Sequence, residues 1–540
     1  MHTRKKWYAM LGLVGWLVVG VFYARPANAL YLNDDQTIIF TATFYNQWRI
    51  RLNDARGANT SAATGSTFQH RYFADPQIRV TVTPWFDRIP YGDLIQEALQ
   101  IDEARFLFNP RFEYDGVYDY GPVGYRERLS PSRQQGNRLQ IFEAYGETSH
   151  FGGRFNFRAG RQNLSWGETD IFRVVDQINP LDNGFGGFLL PLDERRRPLT
   201  MFRFSLGLAE LPEWDVYNIT LQAFIAPDNR NPIEAHGGQP WDVVPGGLGF
   251  APTFNASCEA YGCDDLIVQN PRPDRNFGDS RAGVRLLSTI GDTTVTLQWM
   301  STYNAEDIGS IINLEESRDG ESLILKIKNN NNYQLVGATA SAPLSQFNVP
   351  ILRGLTYTVF RAEMAGSFGQ AFFKEDVNLA VGTRVPKRDV IRWALGIDHT
   401  QWLQFLNPAN TFFFSAQHFH RSIQGSVSGL RIPLSLTHHN GGDRNRFANI
   451  FRNSHYSTFI ATTLYNASYF FGLAQVQPQF VVIYDWAGSW LMQPQLTFIN
   501  DPWRLRFEYN WIEGRFDGPT GVGLTKDWDN FAIRLDYLLF

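Results

Sequence analysis

The sequence has almost no cysteine. Two thiols, Cys258 and Cys263, stand in 540 residues, so neither a disulfide-dense secreted scaffold nor a multi-cysteine metal fold is available to it. Lysine is nearly as scarce: only 7 of the 49 basic residues are lysines, a bias that suits planar, hydrogen-bonded pairing by arginine. Basic charge is not in surplus either. The formal net charge of −4 becomes −8 once Arg4, Lys5, Lys6 and Arg25 of the first 29 residues are set aside, which argues against nucleic acid as a partner. Beyond residue 30 there is no run of about 18 apolar residues, so no helical membrane span is expected there. The length would ordinarily suggest about three or four domains. Yet no composition break, Pro/Ser linker or charge run divides the chain, and one continuous architecture is expected.

Aromatic residues are abundant, at 15% (43 Phe, 22 Tyr, 15 Trp), while mean hydropathy is slightly negative. Both hold at once if apolar and polar residues alternate. The N-terminus has the three parts of a secretory signal peptide: basic Arg4, Lys5 and Lys6, an apolar stretch from Trp7 to Tyr23, and the small-residue site Ala27-Asn28-Ala29. Residues 1–29 are therefore expected to be removed, leaving 30–540 as a single unit. In the oxidising compartment that export implies, Cys258 and Cys263 are expected to close a small disulfide loop within a long connection over 227–279.

Period-two alternation runs through the rest of the chain. Trp503, Leu505, Phe507, Tyr509 and Trp511 are apolar or aromatic, and Arg504, Arg506, Glu508 and Asn510 between them are polar. The same phase appears at Ile38, Phe40, Ala42 and Phe44, at Ile78, Val80 and Val82, and at Ile391, Trp393, Leu395 and Ile397. Charges in the middle of such strands do not fit the core of a sandwich or propeller. They fit an all-β, transmembrane, antiparallel up-and-down β-barrel, in which one face meets hydrocarbon and the other a wet lumen. Strands are expected near 37–52, 70–84, 101–113, 138–148, 154–164, 199–209, 215–226, 280–290, 293–303, 332–343, 354–366, 389–400, 410–420, 455–469, 475–486, 489–499, 502–513 and 528–540. That is about 18 strands, with 16 the alternative, joined by short periplasmic turns and long extracellular loops. Two connections break the rule: 85–100 is long for a periplasmic turn and is expected to hold a short helix at Leu94–Leu99, and Ala487-Gly488 is short for an external loop. The C-terminal run from Phe531 to Phe540 alternates and ends on an aromatic residue, similar to the signal read by the barrel assembly machinery.

The densest motif lies in 158–182. It resembles the domain-of-unknown-function 1302 family of proteobacterial outer-membrane proteins, with a G-[RK]-Q strand end, a W-G-x turn and an N-P-x-D stretch. These are matched by Gly160-Arg161-Gln162, Trp166-Gly167-Glu168 and Asn179-Pro180-Leu181-Asp182, and Arg361-Ala362-Glu363 agrees as well. The resemblance implies a barrel in the bacterial outer membrane and an association with export systems for hydrophobic compounds; it implies no substrate.

Residues 165–198 are too charged for lipid and are expected to fold into the lumen as a constriction. Its candidate residues are Arg161, Trp166, Glu168, Asp170, Arg173, Asp176, Asn179 and Asp182; an ordinary external loop held by ion pairs is the alternative. The expected lumen wall is arginine-rich: Arg49, Arg51, Arg79, Arg105, Arg154, Arg158, Arg203, Arg281, Arg285, Arg392, Arg504, Arg506 and Arg534, against Glu103, Asp398, Glu508 and Asp536. Such a wall either favours anions or forms cross-strand ladders that stiffen the barrel.

No G-x-S-x-G, H-E-x-x-H or P-loop occurs, and no Ser/His/Asp set stands out. His418 and His420, two apart on one strand face, could make a metal site with His438-His439 of the next loop, but such residues are more often interface or lumen polar groups; Glu168, Asp170, Asp176 and Asp182 could bind calcium, but their spacing matches no known loop. No enzyme activity, cofactor or metal is expected. The expected function is an outer-membrane channel or transporter for small hydrophobic or amphiphilic molecules, anionic ones among them. Outer-membrane lipid surrounds it in this reading, and an inner-membrane export system is the candidate partner. The alternatives are an outer-membrane enzyme with a lumen or rim site, and a plugged binding or structural barrel.

Overall fold

The computed structural model describes residues 30–539, apart from 54–63, 123–136, 229, 231, 234–239, 242–264, 270–276, 304–309, 317–321, 329–331, 348–356, 375–385, 406–409, 432–452, 470–473, 515–521 and 526–527. The expected signal segment, Cys258, Cys263, His438, His439 and Phe540 lie outside the described residues.

Eighteen strands form one closed antiparallel sheet. They are β1 Ile38–Arg51, β2 Thr67–Thr81, β3 Ile101–Asp115, β4 Asn137–His150, β5 Phe155–Gln162 and β6 Leu199–Gly207. There follow β7 Val216–Ala226, β8 Arg281–Ile290, β9 Thr293–Tyr303, β10 Asn332–Pro343, β11 Thr358–Ala371 and β12 Lys387–Gln401. The last six are β13 Phe412–Ile423, β14 His455–Tyr465, β15 Ala474–Asp485, β16 Ser489–Asn500, β17 Trp503–Glu513 and β18 Asn530–Leu539. Each strand pairs with the next, and β18 returns to β1 with Arg51 opposite Asn530 and Phe44 opposite Tyr537. Closure leaves no barrel strand with an unpaired edge, as a sheet in hydrocarbon requires. Every expected strand is present.

The sheet is inside out relative to a soluble protein. Outward residues such as Phe44, Leu297, Trp299, Met364, Phe368 and Trp511 are exposed, while inward Arg49, Arg71, Glu113, Glu363, Asn510 and Asp536 are buried. This polarity identifies the lipid-facing surface. Among the described residues no helix is long and apolar enough to cross a membrane.

One end of the barrel carries mostly short turns, at 151–154, 208–215, 291–292 and 501–502, and the other mostly long connections. The two exceptions read from the sequence hold. Between β2 and β3 lie a 3₁₀ turn, Thr83–Arg88, and a helix, Gly92–Ala98, while β15 and β16 are joined through 486–488 alone. Strand β11 differs from expectation: it continues to Ala371 instead of ending near 366. Gly369, with φ +76°, sits at a register shift between Ser367 and Gln370, so the strand continues through a bulge.

Candidate functional site

Between β5 and β6 the chain leaves the wall and folds inward over 163–198. Its position follows from two carboxyl groups, Glu363 of the wall and Glu194 of the loop itself. Glu363 on β11 stands opposite Thr339 and Ala394 in the sheet, so no neighbouring strand supplies a cation. Its oxygens instead accept the backbone N–H of Glu168 and, at 3.3 Å, that of Val175. Gly167 makes this approach possible, because a Cβ there would lie 3.0 Å from Asp176 Cβ and 3.3 Å from Glu363 Oε1. The W-G-x turn is thus a close-packing device.

Beside this anchor Arg361 pairs with Asp398 on β12 at 2.7 Å and with Asp170 of the loop at 3.1 Å. It also donates to the Glu168 carbonyl, and Gln417 on β13 donates to Asp170. Further along, Gln298 donates to the Val175 carbonyl at 3.2 Å, Thr302 to Gln177 at 2.9 Å and Arg281 to Ile178 at 3.1 Å. This first lobe of the loop is therefore held by β8, β9, β11 and β13.

The second lobe reaches the other side. Glu194, in the short turn Leu192–Arg195, accepts from Tyr45 on β1 at 2.7 Å, Arg71 on β2 at 2.9 Å and Arg534 on β18 at 3.3 Å. Burial alone would raise its carboxyl, but Arg534 and Arg71, with the Tyr45 hydroxyl, outweigh that and hold it down at about 2. Gln69 donates to the Phe185 carbonyl at 2.7 Å, and Asp182 pairs with Arg138 on β4.

The loop is also stapled to itself. Asn179 accepts from the Leu164 N–H at 3.0 Å and donates to the Arg197 carbonyl at 2.9 Å, while Arg173 donates to the Asn179 carbonyl at 2.5 Å. Asp176 takes Arg196 at 2.7 Å and Ser165 at 3.2 Å. Trp166, Asp176 and Asn179 are buried in this packing, whereas Asp170 is exposed. Of the eight loop candidates, these three hold the loop together and do not face open space. Arg161 is not in the loop: period two sets it on the side of β5 opposite Arg158 and Gln162, a phase hidden by the Gly-Arg-Gln strand end.

The arginines of the wall divide by height. Toward the long-loop end they are matched: Arg49 with Glu508 at 2.8 Å, Arg71 with Glu113 at 2.7 Å, Arg111 with Asp75 at 3.1 Å and Arg534 with Asp536 at 2.7 Å. Arg51 stacks over Phe68 at 4.4 Å, Arg392 donates to Ser367 and Gln370 at 2.8 and 2.6 Å, and Arg506 lines a small cavity with Arg49 and Glu508. Nearer the short turns the partners are mixed. Arg105 with Glu103 and Arg158 with Glu147 are paired; Arg79 donates to Gln77, Arg285 to Gln222, and Arg504 lies 3.8 Å from Asp501. Cross-strand pairs with carboxylates and arginines with neutral partners thus both occur in the wall.

A feature not foreseen is an apolar sector of the inner wall. Phe419, Ile460, Val481, Ile483, Leu491 and Ile512 project inward from β13–β17 and pack with Ile171 and Phe172 of the loop, Phe172 edge-on to Phe419 at 5.5 Å. His418 and His420 fall on the outer side of β13, against Trp393. Three consecutive phenylalanines, Phe412 to Phe414, and the two histidines flanking Phe419 hide that strand's phase; buried Ser415 and Gln417 mark the inward set. No group of three or more His, Cys, Asp or Glu able to hold a metal occurs among the described residues.

These features define a transmembrane β-barrel with a loop folded across its interior. The chain belongs to the family described as protein of unknown function (DUF1302), whose model matches residues 10–539. No curated protein matches it. Similar solved structures include a BenF-like porin from Pseudomonas fluorescens, at 9% identity and TM-score 0.44, covering 94% of this chain and 100% of that one. OpdK of Pseudomonas aeruginosa is 10% identical with TM-score 0.41, covering 93% and 98%. OprB of Pseudomonas putida is 8% identical with TM-score 0.40, covering 93% and 94%. The fold assignment rests on the strand pairing itself.

Proposed function

We propose that this protein is a channel of the bacterial outer membrane, narrowed by its 163–198 loop, for small amphiphilic molecules that carry acid groups. The observation that carries the reading is the loop anchored to both sides of a closed barrel, by Glu363 on one and by Glu194 on the other. The loop is held by buried apolar packing together with polar anchors on both sides, and in this reading the polar anchors are the contacts that hydration exchanges when the passage opens.

The substrate class follows from the walls. Arginines on the strands from β1 to β8 complement an acidic head, and the inward apolar sector on β13–β17, buried in one cluster with loop residues, becomes available to a hydrocarbon body when the loop moves. In this reading the short-turn end faces the periplasm, outer-membrane lipid surrounds the apolar outer face, and an inner-membrane export system supplies the substrate. Liposome swelling with the full chain tests the assignment: benzoate is expected to enter faster than a neutral sugar of similar size, and absence of swelling with every solute would overturn it.

A further inference from the structure

The short-turn half of the lumen holds an arrangement that neither the ladder nor the plug explains. Arg158 on β5 and Arg203 on β6 are direct cross-strand partners on the inward face. Like charges in that relationship repel and destabilise a sheet. One carboxylate serves both: Glu147 on β4 takes Arg158 with both oxygens, each at 3.0 Å. A third arginine, Arg285 on β8, lies within electrostatic reach of Arg203. It is kept in place by the Gln222 side chain at 2.9 Å and by the Trp166 ring, whose centroid is 5.2 Å away. In front of the pair is a cavity of about 230 Å³ lined by Glu147, Asn156, Arg158, Arg203 and Ser205.

We propose that Arg158 and Arg203, backed by Arg285, form a carboxylate-binding site in the short-turn half of the lumen. Where they line the cavity, the Arg158 and Arg203 guanidinium groups meet the single carboxylate of Glu147, which leaves one positive charge uncompensated there, while Arg285 behind them has Glu168 and Asp176 within reach; an anion entering the cavity therefore relieves the Arg158–Arg203 repulsion. Guanidinium forks match planar carboxylates better than spherical ions. Asn156 and Ser205 add neutral hydrogen-bonding groups, and the cavity, room for about eight waters by liquid volume, accepts a small organic acid. The site deepens the channel reading by naming the group its substrate carries, and depends on that reading only for the route by which the anion arrives.

Isothermal titration of the detergent-solubilised full chain with sodium benzoate, with inorganic phosphate and chloride as comparison anions, tests the site without any transport step. Saturable benzoate binding is expected, about tenfold weaker in Arg203→Gln, a loss of the size of one charge-assisted contact. Arg203→Lys, which keeps the charge and loses the fork, should fall between and covers the case in which the glutamine variant does not refold. Glu147→Gln, which frees Arg158, should bind more tightly than wild type. Equal affinity in wild type and both Arg203 variants would overturn the site, and phosphate or chloride matching benzoate would overturn its assignment to carboxylates. Binding without liposome swelling would leave the site standing and remove the channel; swelling without binding would do the reverse.

Discussion

Glu363 on β11 accepts the backbone N–H of Val175 at 3.3 Å across 188 residues of sequence, and the same carboxyl group takes the N–H of Glu168. A buried carboxylate is thereby satisfied by the loop instead of by a neighbouring strand, so the acid and the loop depend on each other.

Replacing Glu363 by Ala should release the first lobe while leaving the barrel closed. Hydrogen bonds contribute about 0.5–1.5 kcal/mol each, so loss of both should let the amides of Glu168 and Val175 exchange with deuterium about tenfold faster. Strand amides of β11 should be unaffected; their joint acceleration would mean that Glu363 supports the wall and not the loop.

The second anchor is sensitive to pH in a defined direction. Glu194 is lowered from an ordinary 4.5 to about 2 in the docked loop, so its contribution is fully present above 4.5 and is lost as pH falls toward 2. The difference corresponds to about 3 kcal/mol in favour of the docked, ionised form. Protease susceptibility of the loop should therefore rise between pH 4.5 and 2 in wild type, and should be high and flat over that window in Glu194→Gln.

Wall and loop also meet sterically. A Cβ at Gly337 on β10 would lie 2.7 Å from Val175 Cγ1. Gly337→Ala should thus push the loop away, at a cost of about 1–3 kcal/mol for overpacking. Adding Val175→Ala should recover most of that loss, a coupling that a double-mutant cycle on loop exchange rates measures. Additive effects would place Val175 elsewhere.

Asn179 ties residues 164, 173 and 197 together through its side chain and carbonyl. Asn179→Ala leaves the Leu164 N–H and the Arg197 carbonyl unpartnered and should cost about 1–3 kcal/mol for each buried group left unsatisfied. Loss of loop protection in exchange, with the barrel's resistance to heat in detergent unchanged, is the expected pattern.

The barrel was legible because its signal is repeated eighteen times: alternation such as Trp503 to Trp511 fixes both the strand and the face of each residue. The loop was legible as a place, through the charge density of 165–198 and the W-G-x and N-P-x-D motifs. Its partners were harder to read. Glu363 gave a signal in retrospect, an acid in mid-strand between Ala362 and Met364 with no cation opposite, but locating its partner needs contacts nearly 190 residues apart. Arg71 was passed over although it lies in β2, near the strand's start and before Pro76, which blurs the alternation. Glu194 sits among Asp193 and Arg195 to Arg197, where nothing in the local pattern distinguishes the one acid that reaches the far wall. The inward apolar sector was missed because polar-inside is a rule for a wet lumen, and Phe419, Val481 and Ile483 are dry only because the loop covers them.

The central claim is that 163–198 narrows a passage through the barrel. Single-channel conductance of the refolded full chain in planar bilayers, beside a variant lacking residues 165–198, tests it most directly. The account predicts a small, anion-favouring conductance for wild type and a severalfold larger one after deletion; silence in both proteins, or equal conductance in both, would contradict it.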